Sequence, residues 1–148
     1  MKLVSLFIAL LAAAAISSPA SDRSNKPEFS LSIRTSEVEA KAGDRIEIQV
    51  TKTNLSHTTL AVGGNRVFPY IFEVRREGVL VPETSSAKNI HEHPTPGPMI
   101  DGNLAPHSYA LDTIVVNEYR DMSQPGVYTI LVREGNVKSN KITVTVTE

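Results

Sequence analysis

The chain has 148 residues, with 15 Lys and Arg against 16 Asp and Glu, no cysteine and no tryptophan. So even a balance of charge excludes phosphate-driven nucleic-acid binding. The missing cysteine excludes thiol redox chemistry, cysteine nucleophiles and zinc ribbons, and leaves packing alone to hold the fold. Absent tryptophan argues against the aromatic stacking platforms that carbohydrate modules use.

"MKLVSLFIALLAAAAISSPA", residues 1–20, has the order and charge of a secretory signal peptide. Lys2 provides the positive start, Leu3 to Ile16 is broken only by Ser5, and Ser18 and Ala20 are the small residues before a cleavage point at Ser21. The apolar run is shorter than the roughly 20 residues that span a bilayer, so no stable membrane insertion is expected after cleavage. The expected destination is secreted or periplasmic. Only Lys2 leaves with the signal, which takes the net charge from −1 to −2. Residues 21–27 are polar and aperiodic, a flexible lead-in. Residues 28–148 are the size of one ordinary domain.

From there the hydrophobic period is two. "FSLSIRT" sets Phe29, Leu31 and Ile33 against serines and Arg34; "DRIEIQVTKTN" sets Ile46, Ile48 and Val50 against Arg45, Glu47 and Gln49. "YIFEVRR" groups Tyr70, Phe72 and Val74, and "KITVTVTE" groups Ile142, Val144 and Val146. Such alternation predicts strands with one buried and one wet face. Strands are expected near 28–35, 44–54, 58–62, 69–76, 79–82, 109–116 and 126–133, with an eighth at 138–147. Turn signals fall between them, including Gly63-Gly64-Asn65, Gln124-Pro125-Gly126 and Glu134-Gly135-Asn136, the last expected to place both Gly135 and Asn136 at positive φ. No sustained helical spacing follows the signal. The fold class is all-β, an antiparallel sandwich or barrel of seven to eight strands.

The interval from Pro82 to Ala105 breaks the pattern. Its prolines exclude a central strand, and its length predicts a long loop of the kind that carries binding residues.

"YRDMSQPGVYTILVREGNVKSNKITVTV", Tyr119 to Val146, resembles the end of an immunoglobulin-type sandwich. The match extends over residues 103–147 and is similar to a group of exported bacterial immunoglobulin-like domains of largely uncharacterised function. "NLAPHSYALDTIVV", "YRDMSQPGVYTILV" and "VKSNKITVTV" stand for that group's last strands. The resemblance implies that Gly126 is the small residue before the penultimate strand, Tyr128 a corner tyrosine bonded back to the backbone, and Ile130 the replacement for the usual core cysteine. The chain departs from the group at His107, where a glycine is common, and at Arg120, which is additional.

"HEHP" is the one cluster with metal-ligand chemistry. On an extended chain His91 and His93 project to one side with Glu92 opposite, and His107 could join them if the loop folds back. The spacing is not H-E-x-x-H, and no supporting shell for the imidazoles is evident. The three are therefore weak metal candidates, expected not to converge. Asp112, among apolar neighbours in "ALDTIVV", is expected to face water on the outer side of its strand. No G-x-S-x-G elbow or other activating context occurs; no catalytic residue and no cofactor is expected. The sequence thus reads as an exported non-enzymatic binding or interaction module for an unknown protein or cell-envelope partner. Alternatives are a proteinase inhibitor presenting an exposed loop and a metal-binding protein using the loop histidines.

Overall fold

The computed structural model describes residues 26–62, 69–93 and 102–148. The expected signal peptide, most of the lead-in, the Gly63-Gly64-Asn65 turn and residues 94–101 of the long loop lie outside the described residues.

Alternation becomes strands where it was expected. These are β1 (Phe29–Arg34), β2 (Glu39–Lys41), β3 (Glu47–Asn54), β4 (Leu60–Val62), β5 (Ile71–Arg76), β6 (Val79–Leu80), β7 (Gly102–Leu104), β8 (Tyr109–Val115), β9 (Gly126–Glu134) and β10 (Val137–Thr147). One helix, α1 (Ser85–Glu92), and a 3-10 turn at Val116–Glu118 complete the described chain. The expected eight strands are all present; the two additional ones, β2 and β7, have three residues each.

One sheet has the order β1-β3-β8 and the other β2-β10-β9-β5-β6, while β4 and β7 form a separate pair. All pairings are antiparallel except β2 with β10. This is the immunoglobulin-like β-sandwich. The inner faces meet through Leu31, Ile33, Ile46, Ile48, Val50 and Ile114 from one sheet and Phe72, Val74, Ile130, Val132, Val144 and Val146 from the other. A period of two puts these on one side of each strand, and burial of that side is the main drive for folding. Of the last hairpin's turn residues only Gly135 takes positive φ (56°), which corrects the expectation for Asn136.

In β10 the register slips between Lys138 and Lys141, a bulge that turns Asn140 toward the other sheet. Asn140 Oδ1 accepts from Ile33 N at 2.8 Å, and Asn140 Nδ2 donates to Ile33 O at 3.0 Å. Ser139 Oγ fixes the bulge by accepting from Val132 N and donating to Asn140 O.

Candidate functional site

The inner face of β3 stays apolar through Val50 and then turns polar at Lys52 and Asn54, both buried. Opposite, β9 ends its inner row on Glu134. Lys52 Nζ meets Glu134 Oε1 at 2.7 Å and lies 4.2 Å from the centre of the Phe29 ring. The pair ties the two sheets together across one end of the sandwich. Among the described residues Glu134 Oε2 has no hydrogen-bond partner, although it is buried.

Asp112 sits at the same end. It is registered with the fully buried Val50, so its side chain belongs to the inner face of β8 and not to the outer side, which corrects the expected face, while the expected exposure to water is found. The carboxylate stays exposed because β8 is an edge strand. Its Oδ2 accepts the Tyr70 hydroxyl at 2.6 Å. Burial first, then the bond to Asp112 and the charges of Asp112 and Glu134, push the Tyr70 phenol far above the usual tyrosine range.

Asn54 organises two loops at this end. Its Nδ2 donates to Thr58 O, Leu104 O and Ala105 O at 2.7, 3.0 and 3.1 Å. Its Oδ1 accepts from Ser56 N and Ser56 Oγ, and its backbone N–H reaches Ser108 O. The loop after β3 and the loop before β8 are therefore held by one fully buried amide. Each carries a histidine. His107 Nε2 lies 3.2 Å from His57 Nδ1, with the rings edge to face. His107 has φ 59°, the left-handed conformation that favours glycine.

The "HEHP" segment is placed differently from the sequence expectation. Residues 85–92 are helical, not an extended loop, and Thr84 caps the helix by accepting from Ala87 N. His91 is in its last turn and His93 is its C-cap, so residues two apart diverge around the helix and do not share a side. His91 Nδ1 lies 3.3 Å from Glu83 Oε2, and Glu83 Oε1 meets Arg120 Nη2 at 3.3 Å. The additional Arg120 thus anchors the segment leading into α1. His107 is paired with His57 instead. Among the described residues no three His, Cys, Asp or Glu form a metal-ligand group.

At the other end of β9, Tyr128 Oη donates to Gln124 O at 2.6 Å, and Tyr128 and Ile130 are fully buried in the core. Gly126 has φ 149° and sits against Arg76; a Cβ there would come within 3.0 Å of Arg76 Cδ. Asp121 shapes the preceding turn through Ser123 N and Ser123 Oγ, which hold its carboxyl below the usual range.

Among the described residues no helix is long and apolar enough to cross a membrane.

No protein-family model and no curated protein matches the chain. Among solved structures it is similar to the CARDB domain of a Pyrococcus furiosus protein, at 14% identity and a TM-score of 0.44 over 81% of this chain and 94% of that one. It is also similar to an alkylpurine DNA glycosylase of Pseudomonas fluorescens, at 10% identity and a TM-score of 0.48 over 82% of this chain and 31% of that one. A β-glucosidase of Listeria innocua matches at 14% identity and a TM-score of 0.47 over 82% of this chain and 16% of that one. The chain therefore spans less than a third of either enzyme. The immunoglobulin-like assignment rests on its own strand order, β1-β3-β8 facing β2-β10-β9-β5-β6.

Proposed function

We propose that the chain is an exported, non-enzymatic immunoglobulin-like interaction module that engages a protein or cell-envelope partner through strand β8. The observation that carries this reading is the β8 edge. Among the described residues β8 pairs with β3 on one side only, and Tyr109 and Leu111 on its outer face are 64% and 49% exposed. An unpaired edge bearing large apolar side chains is a template for strand addition, in which main-chain hydrogen bonds supply affinity and alternate side chains supply specificity. Export is supported by residues 1–20, and the non-enzymatic reading by a sequence without nucleophile elbow, cysteine or H-E-x-x-H. No observation favours the inhibitor alternative: the described part of the long interval holds the α1 helix and the short strand β7, which is paired with β4.

Photo-crosslinking in the native host tests the contact surface. A photoreactive residue at position 109 or 111 is expected to yield a discrete adduct, and one at the exposed Thr143 of the other sheet is not. Equal adducts from all three positions would refute the β8 surface. Fractionation with N-terminal sequencing tests export: mature protein starting at Ser21 outside the cytoplasm is expected, and uncleaved cytoplasmic protein would overturn it.

A further inference from the structure

We infer that His57 and His107 form a two-imidazole binding site for a divalent transition metal, copper(II) in preference to zinc. The inference is independent of the interaction surface on β8. It also uses a different pair of side chains from His91 and His93 of "HEHP"; of His57 and His107, only His107 was a candidate from the sequence.

The geometry carries it. His57 Nδ1 and His107 Nε2 face each other at 3.2 Å. Two imidazole nitrogens, each about 2.05 Å from a common ion, are separated by about 2.9 Å at a right angle and about 3.3 Å at a tetrahedral angle. The observed distance lies inside that window. In the hydrogen-bonded pair one ring nitrogen donates to the other; for an ion to bind, the donor ring takes its other tautomer, carrying its proton on the nitrogen that faces away, so that both facing nitrogens offer a lone pair. The rings are edge to face, with centroids 5.1 Å apart and an interplanar angle of 72°, and rotation about their side-chain bonds aims both lone pairs at one point.

The support beneath the pair is rigid. Asn54, buried at 0% exposure, binds Thr58 O, one residue after His57, and Ala105 O, two residues before His107. Ser108, next to His107, is fixed through its own N–H and Oγ to Ala105 O, while its carbonyl accepts from Asn54 N. Both histidines therefore hang from one buried side chain, and the entropy of bringing two loops together is spent in folding, not in binding. His107 also holds a left-handed backbone, φ 59°, an unfavourable conformation for a residue with a Cβ, and such outliers gather at functional positions. The exposure of both rings leaves the remaining coordination positions to water. Imidazole pairs of this kind favour copper(II) over zinc and nickel by the usual order of divalent affinities.

Calorimetric titration of the untagged protein with copper(II) and with zinc, joined to electron paramagnetic resonance of the copper form, tests the site. One copper per chain is expected, with nitrogen hyperfine structure from two imidazoles and weaker binding of zinc. His57→Ala and His107→Ala should each weaken copper binding by roughly a hundredfold, the usual gain from tethering a second ligand. His91→Ala and His93→Ala should leave it unchanged. Both target rings are exposed, and unaltered circular dichroism of each variant separates lost ligands from lost fold. Should either variant unfold, zinc-induced shifts of His57 Nδ1 and His107 Nε2 in the wild-type nitrogen spectrum give the same answer. Copper binding that survives the double substitution, or no binding by wild type, overturns the site.

Discussion

Asn140 uses both atoms of its amide on the backbone of Ile33, accepting its N–H at 2.8 Å and donating to its carbonyl at 3.0 Å. Among the described residues β1 is an outer strand of its sheet, so these two peptide groups face away from β3 and have no ladder partner there. A side chain on the neighbouring sheet supplies the missing pair. The bulge at Ser139 and Asn140 thus works as a clasp between the two layers, at a core residue, Ile33.

Asn140→Ala should therefore destabilise the domain by about 1–3 kcal/mol, since it leaves two half-buried peptide groups without their partners. Asn140→Asp should recover little, because a carboxylate cannot donate to Ile33 O. Urea unfolding measures both: a lower midpoint with an unchanged slope is expected. An unchanged midpoint would mean that water replaces the clasp at no cost.

Tyr128→Phe should cost about 1–2 kcal/mol by removing the bond to Gln124 O while keeping the ring. Ile130→Ala should cost more, about 2–5 kcal/mol, through a cavity between the sheets. The order of the two thermal midpoints is the check. A Tyr128→Phe protein that melts with wild type would deny the corner its energetic role.

The clasp and the corner differ in how far the sequence exposed them. The six strands of six or more residues were legible because alternation is local: Ile46, Ile48 and Val50 define a face without reference to any partner. The "PGVY" stretch is also local. Helix α1 was not legible, since SSAKNIHE offers only Ala87 and Ile90 as apolar residues and prolines flank it. What holds it is distant: Thr84 N and Oγ bond to Tyr119 O and Glu118 O, and Ala87 is buried. Its one local signal was the capping Thr84. β2 and β7 are too short to show a period. The His57–His107 pair is separated by fifty residues and follows only from the pairing of β3 with β8, which places Thr53 beside Tyr109.

Lys52 and Glu134 offer a test of the polar end. The Lys52 side chain is 10% exposed and the Glu134 side chain 21%, so truncating one partner strands the other charge in a poorly solvated place. Lys52→Met or Glu134→Leu alone should each destabilise by about 3–5 kcal/mol, whereas the double substitution should lie close to wild type. A double-mutant cycle in urea reads the coupling. Additive effects would show that water reaches both groups.

Tyr70 gives the chain an alkaline weak point. Its phenol is raised above the ordinary value mainly by burial, with the bond to Asp112 and nearby negative charge adding to it. Because the folded value exceeds the unfolded one, near 10, the stabilisation is complete below about pH 10. It declines above that, as the unfolded chain gains by ionising while the folded chain does not. Wild type should therefore exceed Tyr70→Phe by a constant margin of about 1 kcal/mol from pH 6 to pH 9, the value of one hydrogen bond to a hydrated carboxylate. The margin should shrink as the pH passes 10. Asp112→Asn keeps an acceptor and removes a charge, and burial of the ring is unchanged; its phenol should ionise earlier than wild type but still late. Ultraviolet titration of phenolate in the three proteins separates these cases, with the Tyr70 signal in wild type appearing only as the fold opens. A margin that stays flat through pH 10, with all wild-type tyrosines ionising together before unfolding, would place Tyr70 in water and dissolve its contact with Asp112.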